Sequence, residues 1–223
     1  MKKIVIIIIA AVAATSLWAQ EPLSPVKGGL SLTYVTKNDK GKVQAYSLQK
    51  VTSVEGSGNN LTVAYSIQAM DNKKKLIAKV PVINYTYKVE NGALVIDPKA
   101  MLNSITTGSP SDGTAEGTPM ILPSGMKAGD ALADCEVKMQ IAFIKISASY
   151  TEGVCEGEES ITVEAGTFAC KKTKFRSKSS AMGIKTEMIV HSWYAPGVGL
   201  VKQDMYTAKG KLHTSQELAE LSE

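Results

Sequence analysis

Leu61-Thr62-Val63-Ala64-Tyr65-Ser66-Ile67-Gln68-Ala69 decides the fold class of this chain. Leu61, Val63, Tyr65, Ile67 and Ala69 are apolar, while Thr62, Ser66 and Gln68 between them are polar. Successive side chains of an extended strand point to opposite faces, so a period of two puts one face in a core and the other in water. Antiparallel sheets are the kind that leave one face wet.

The same period recurs outward from this stretch. Ile83, Tyr85, Tyr87 and Val89 alternate with Asn84, Thr86 and Lys88, and Leu30, Leu32 and Tyr34 alternate with Ser31 and Thr33. Turn signals separate the runs: Asn38-Asp39-Lys40-Gly41-Lys42, Gly56-Ser57-Gly58-Asn59-Asn60, Asn91-Gly92 and Lys209-Gly210-Lys211. Asn-Gly is a strong two-residue hairpin signal, and the spacing predicts an up-and-down meander. Lysines recur at these tips, where they keep hairpin ends in water; a weak echo links Tyr34–Val43, Tyr206–Leu212 and, more loosely, Met70–Leu76.

Ile105 to Met120 differs, being rich in Gly, Ser, Thr and Pro. It predicts a flexible loop over 103–123 between an N-terminal meander (27–102) and a C-terminal one (124–223), both joining one sheet system. Two short helices are expected. One spans Asp97 to Asn103, with Pro98 in its first turn. The other spans Ser215 to Leu221, with Ser215 as cap.

Met1-Lys2-Lys3, the apolar run Ile4 to Ala14 and Ala19 before Gln20 have the layout of a secretory signal peptide over 1–19. The uncharged stretch to Ala19 is short for a spanning helix, which needs about 20 apolar residues. No cysteine follows it, so a soluble periplasmic or secreted protein is expected rather than a lipid-anchored or transmembrane one. Residues 20–223 form one β-rich domain in this reading. Loss of Lys2 and Lys3 lowers the formal charge from +4 to +2, and so near-neutral a chain is not expected to bind nucleic acid. Cys135, Cys155 and Cys170 allow at most one internal bridge in an oxidising compartment. A Cys155–Cys170 bridge would require an irregular hairpin.

Motifs for catalysis are missing. His191 and His213 lack metal-ligand spacing, and no nucleophile elbow, P-loop or dinucleotide fingerprint occurs. Ser47 and Lys50 have the spacing of some acyl enzymes but none of the companion motifs. Glu156, Glu158 and Glu159 read as a solvated acidic run. Lys172, Lys174, Arg176 and Lys178 share one strand face; with a turn at Ala165-Gly166, Lys172 falls opposite Glu159 and the strip is partly neutralised. Trp193 and Tyr194 point to opposite faces, one toward the core and the other available to a ligand or partner. No catalytic, cofactor or metal residue is assigned, and the ligand-binding residues stay unknown.

Ile161 to Cys170 (ITVEAGTFAC), followed by Trp193 to Lys202 (WYAPGVGLVK), resembles the C-terminal signature of the TapB-like group, uncharacterised exported proteins of Gram-negative bacteria. Asp39-Lys40-Gly41-Lys42 and Asp97 to Leu102 fit the N-terminal half of that pattern. The resemblance implies no activity, cofactor or catalytic residue. It implies a sheet like the curved half-barrel of lipoprotein carriers, an analogy of fold alone. Related chains often place a cysteine near the mature N-terminus, and Glu21 to Tyr34 has none.

These readings lead to a mainly β protein with a strongly curved antiparallel sheet, open or half-barrel in shape, with one or two short helices. A non-enzymatic module with an apolar small molecule or lipid on its concave face is expected. The competing expectation is a cell-envelope structural or protein-interaction module. An apolar cavity above roughly 300 Å³ separates the first from the second.

Overall fold

The structure is a computed structural model that describes residues 21–97, 100, 113–141 and 144–223. The signal-peptide expectation lies outside them, as does most of the helix expected over 97–103. Fourteen strands follow one another: β1 (Ser31–Asn38), β2 (Val43–Ser57), β3 (Asn60–Met70), β4 (Ile83–Glu90), β5 (Ala93–Ile96), β6 (Gly113–Thr118), β7 (Met120–Pro123), β8 (Ala131–Leu132), β9 (Cys135–Ile141), β10 (Ile144–Val163), β11 (Gly166–Ala181), β12 (Ile184–Ala195), β13 (Gly199–Thr207) and β14 (Leu212–Ser222). They make one antiparallel sheet in the order β6-β9-β10-β11-β12-β13-β14-β1-β2-β3-β4-β5-β7, with β8 attached to β10. Two meanders are therefore joined where β14 pairs with β1, from Ser31 opposite Ser222 to Asn38 opposite Thr214.

The sheet rolls into a nearly closed barrel with one seam. Its edge strands, β6 and β7, are consecutive in sequence and separated by Pro119. Proline has no N–H to give to a ladder, so it suits the point where the chain leaves one edge for the other. The inward face carries the main core: Leu32, Tyr34, Val51, Val63, Tyr87, Val89, Leu122, Phe175 and Leu218 are all buried. Leu61 lies opposite Val89, Val63 opposite Tyr87 and Tyr65 opposite Tyr85, so the alternation of the opening stretch maps directly onto cross-strand pairs.

Three expectations are corrected. The flexible loop over 103–123 contains two edge strands, with Gly113–Thr118 paired to β9 and Met120–Pro123 paired to β5. Its small residues answer a packing demand: a Cβ on Gly117 (φ +137°) would sit 1.9 Å from the Glu136 carbonyl oxygen. The helix expected over Ser215–Leu221 is strand β14, paired on both sides. Leu218 and Leu221 are three apart, as on a helix face, yet both face inward because a bulge leaves Ala219 without a partner between the Tyr34–Leu218 and Thr33–Glu220 pairs.

The third correction is register. The β10–β11 turn is Glu164-Ala165, closed by Val163 opposite Gly166, so Gly157 rather than Glu159 faces Lys172, and Cys170 faces Glu159. A shift of one residue in the turn moves every pair by two. All three cysteines are buried and free, so no Cys155–Cys170 bridge forms.

Candidate functional site

The inward face of the C-terminal meander sets a few rings among small and medium side chains. Ala148 lies opposite Val137, Tyr150 opposite Cys135 and Ile146 opposite Met139. Thr173 lies opposite Ser192, and Phe175 opposite Val190. These pairs are too small to fill the barrel at this point. A cavity of about 370 Å³ remains, bounded by β9 to β13 with Thr118 of the edge strand β6 and, across the seam, by Ile96 and Met120. Its polar groups are few. Gln203 Nε2 donates to Ser192 Oγ at 3.0 Å, and Thr173 Oγ1 donates to the Ser192 carbonyl at 3.5 Å.

A second cavity of about 180 Å³ lies in the N-terminal half among Tyr34, Tyr65 and Tyr87. Ile96 and Tyr194 line both cavities, so they form the wall between them. Tyr34 Oη donates to the Leu200 carbonyl at 2.7 Å, tying β1 to β13 across the interior. Burial pushes the Tyr194 phenol up to about 12. It raises those of Tyr34 and Tyr65 as well, so all three stay neutral at physiological pH.

The opposite face of β10–β14 holds the charged residues noted in the sequence. Lys172, Lys174, Arg176 and Lys178 do share one face. Lys172 Nζ lies 3.3 Å from Glu156 and 3.5 Å from Glu159, and Arg176 pairs with Glu152 and Glu187 at 2.8 Å each. Lys172 and Arg176 are thus neutralised across strands, diagonally rather than by the expected register. Glu156 is the unpaired residue of the bulge between Cys155 and Gly157, and it also meets His191 Nδ1 at 2.9 Å. Burial opposes its ionisation, but His191 and Lys172 together hold its carboxyl below the usual range. The acidic run is therefore a set of partners for the strip. Glu158 reaches Lys171, whose Nζ is buried and donates to the Met126 carbonyl at 2.9 Å.

Trp193 is buried and Tyr194 is partly buried. Trp193 packs with Cys170, Ala195 and Val201 on the outer face, donates its Nε1–H to Glu159 and has Lys172 and Lys202 over its ring at 5.1 and 5.5 Å. Tyr194 is the cavity residue. Ser47 and Lys50 fall an odd number of positions apart on β2 and so face opposite ways, which dissolves that pairing. Among the described residues, no group of three or more His, Cys, Asp or Glu side chains is placed to hold a metal ion. The seam cavity was missed from sequence because it depends on which small residues face one another, and registers are not written in any single strand.

No curated protein sequence matches the chain. Among solved structures, a protein of Bacteroides fragilis, provisionally described as exported and as having a YmcC-like fold, superposes with a TM-score of 0.73 at 17% identity, covering 91% of this chain and 100% of that one. A protein of Parabacteroides distasonis, provisionally described as a lipoprotein, gives 0.73 at 20% identity over 91% and 99% of the two chains. At such identities the likeness is one of fold. The family model that matches carries the DUF3108-like description rather than the TapB-like one. It spans residues 27–218, from just before β1 into β14, and the chain belongs to the DUF3108-like family.

Proposed function

We propose that this chain is a non-enzymatic exported binding module that takes an apolar small molecule or a lipid chain into the seam cavity. The observation that supports it is the cavity itself. At about 370 Å³ it exceeds the lower bound of roughly 300 Å³ for small-molecule sites, and its lining is mostly apolar with a few convergent polar groups. The seam supplies a route, since β6 and β7 are edge strands held from one side only. Export is supported by the signal-like segment at 1–19 and by the descriptions of the two solved relatives.

Native mass spectrometry of protein released gently from its own envelope tests this. Added mass that organic solvent removes is expected, and it should be absent from Ala148→Phe, which places a ring in the cavity. Bare chain mass, together with no uptake of a fluorescent polyene fatty acid, overturns the reading.

A further inference from the structure

The two rims of the barrel differ in chemistry. Registers place the connections 39–42, 71–82, 182–183 and 208–211 at one rim. Lys37 opposite Val43, Tyr46 opposite Met70, Ala181 opposite Ile184 and Tyr206 opposite Leu212 are the terminal pairs on that side. These connections carry Lys40, Lys42, Lys73, Lys74, Lys75, Lys79, Lys209 and Lys211 against two acids of their own, Asp39 and Asp71, and Lys74 is taken up by Glu220 of β14. Both acids are engaged: Asp39 pairs with Lys211 at 2.8 Å, and Asp71 accepts the backbone N–H groups of Lys73 and Lys75. At the other rim, the connections 58–59, 91–92, 124–130, 164–165 and 196–198 hold Lys127 against Asp130 and Glu164.

Exposed apolar side chains segregate the same way. Leu76, Ile77, Val80 and Val82 on the β3–β4 connection and Met182 and Ile184 at the β11–β12 tip are 39–75% exposed. Among the described residues, Ile121 is the one other large apolar side chain so exposed. Isolated exposed apolar residues are ordinary, but their confinement to one lysine-rich end is not. Lysine is depleted at protein–protein interfaces, whereas lysine interleaved with apolar residues, as in Lys75-Leu76-Ile77-Ala78-Lys79-Val80, is the pattern of segments that sit in anionic lipid headgroups. There the apolar side chains leave water and the lysine stems run along them, with the ammonium groups among phosphates.

We propose that this lysine-rich rim docks on an anionic phospholipid surface. The proposal goes beyond the cavity reading and stands without it. Flotation with phosphatidylglycerol-containing vesicles, compared with pure phosphatidylcholine vesicles, tests it. Binding to the former, weakened by salt, is expected. Lys73→Gln/Lys75→Gln/Lys79→Gln should weaken it about a hundredfold, at about fivefold per charge removed near the surface. Met182→Ser/Ile184→Ser should weaken binding to the same vesicles even at low salt, and Lys127→Gln at the other rim should change nothing. All substituted side chains are exposed, and unchanged thermal unfolding of each variant verifies the fold. Equal binding to both vesicle types, absence of binding to the anionic ones, or a triple variant that floats like the parent overturns the proposal. Absence of vesicle binding with salt-sensitive capture of an acidic protein would reassign the rim to a protein partner.

Discussion

Strands β3 and β4 and strands β9 to β12 present inward faces on opposite sides of one barrel, and they fill it differently. On the first, Tyr65 meets Tyr85 at 5.3 Å and Tyr87 at 5.5 Å between ring centres, and Val63 sits between strands with no exposure at all. On the second, Ala148 faces Val137 and Thr173 faces Ser192, and about 370 Å³ stays open. The alternation of apolar and polar residues is alike in the two. What differs is side-chain volume at paired positions, so the same fold signal leaves about 180 Å³ beside the tyrosines and about 370 Å³ at the seam.

The largest effect that tests this division belongs to the packed half. Tyr87→Ala should destabilise by about 3–5 kcal/mol, measured as a lower urea midpoint, because a buried ring is lost and the cavity beside it enlarges. A smaller effect with opposite sense on the two sides should come from adding volume. Val63→Phe should cost about 1–3 kcal/mol by overpacking, whereas Ala148→Phe should change stability by less than about 1.5 kcal/mol because it enters open space. Equal cost at both positions would mean that the seam side is as tightly packed as the tyrosine side.

Thiol chemistry sharpens the comparison further. Burial pushes the thiols of Cys135, at the cavity, and Cys170, on the outer face, up to about 11. Both should therefore resist a thiol reagent at pH 8 until the protein unfolds. Selective labelling of Cys135 in the native state would show that the seam opens on its own. The smallest effect lies on the outer face. The Glu156 carboxyl titrates below its usual value of 4.5, so its contribution is present above the unfolded pKa and is lost as pH falls through the folded one. Glu156→Gln should flatten the acid limb of the stability curve below about pH 4.5 by less than about 1 kcal/mol, since the pair is partly exposed. An unaltered acid limb would assign that limb to other carboxylates.

The stretch from Leu61 to Ala69 announces a half-buried strand, and the turn signals around it mark a meander. That much follows from local chemistry. The misreadings have different local causes. Ala219 and Glu156 are bulge residues, and a bulge changes which side chains share a face without changing composition. The bulge at Ala219 brings Leu218 and Leu221 to one face of a strand, whereas the Lys172 partner was displaced by the position of the β10–β11 turn. Gly113–Thr118 looked like loop because an edge strand beside a close backbone approach needs glycine more than it needs β-branched residues. The cavity was illegible for a related reason: it is a property of pairs brought together from different strands, and its two sides lie on opposite banks of the seam.

The join between β14 and β1 sets an order of events. β1 pairs with β2 from its own hairpin, yet its other edge waits for residues 214–222. β1 thus keeps an open strand edge until residues 214–222 are in place. The two meanders cannot be locked into one barrel before then. Closure by contacts of the greatest sequence separation is entropically slow, and the polypeptide stays pliable for as long as β14 is missing from the sheet.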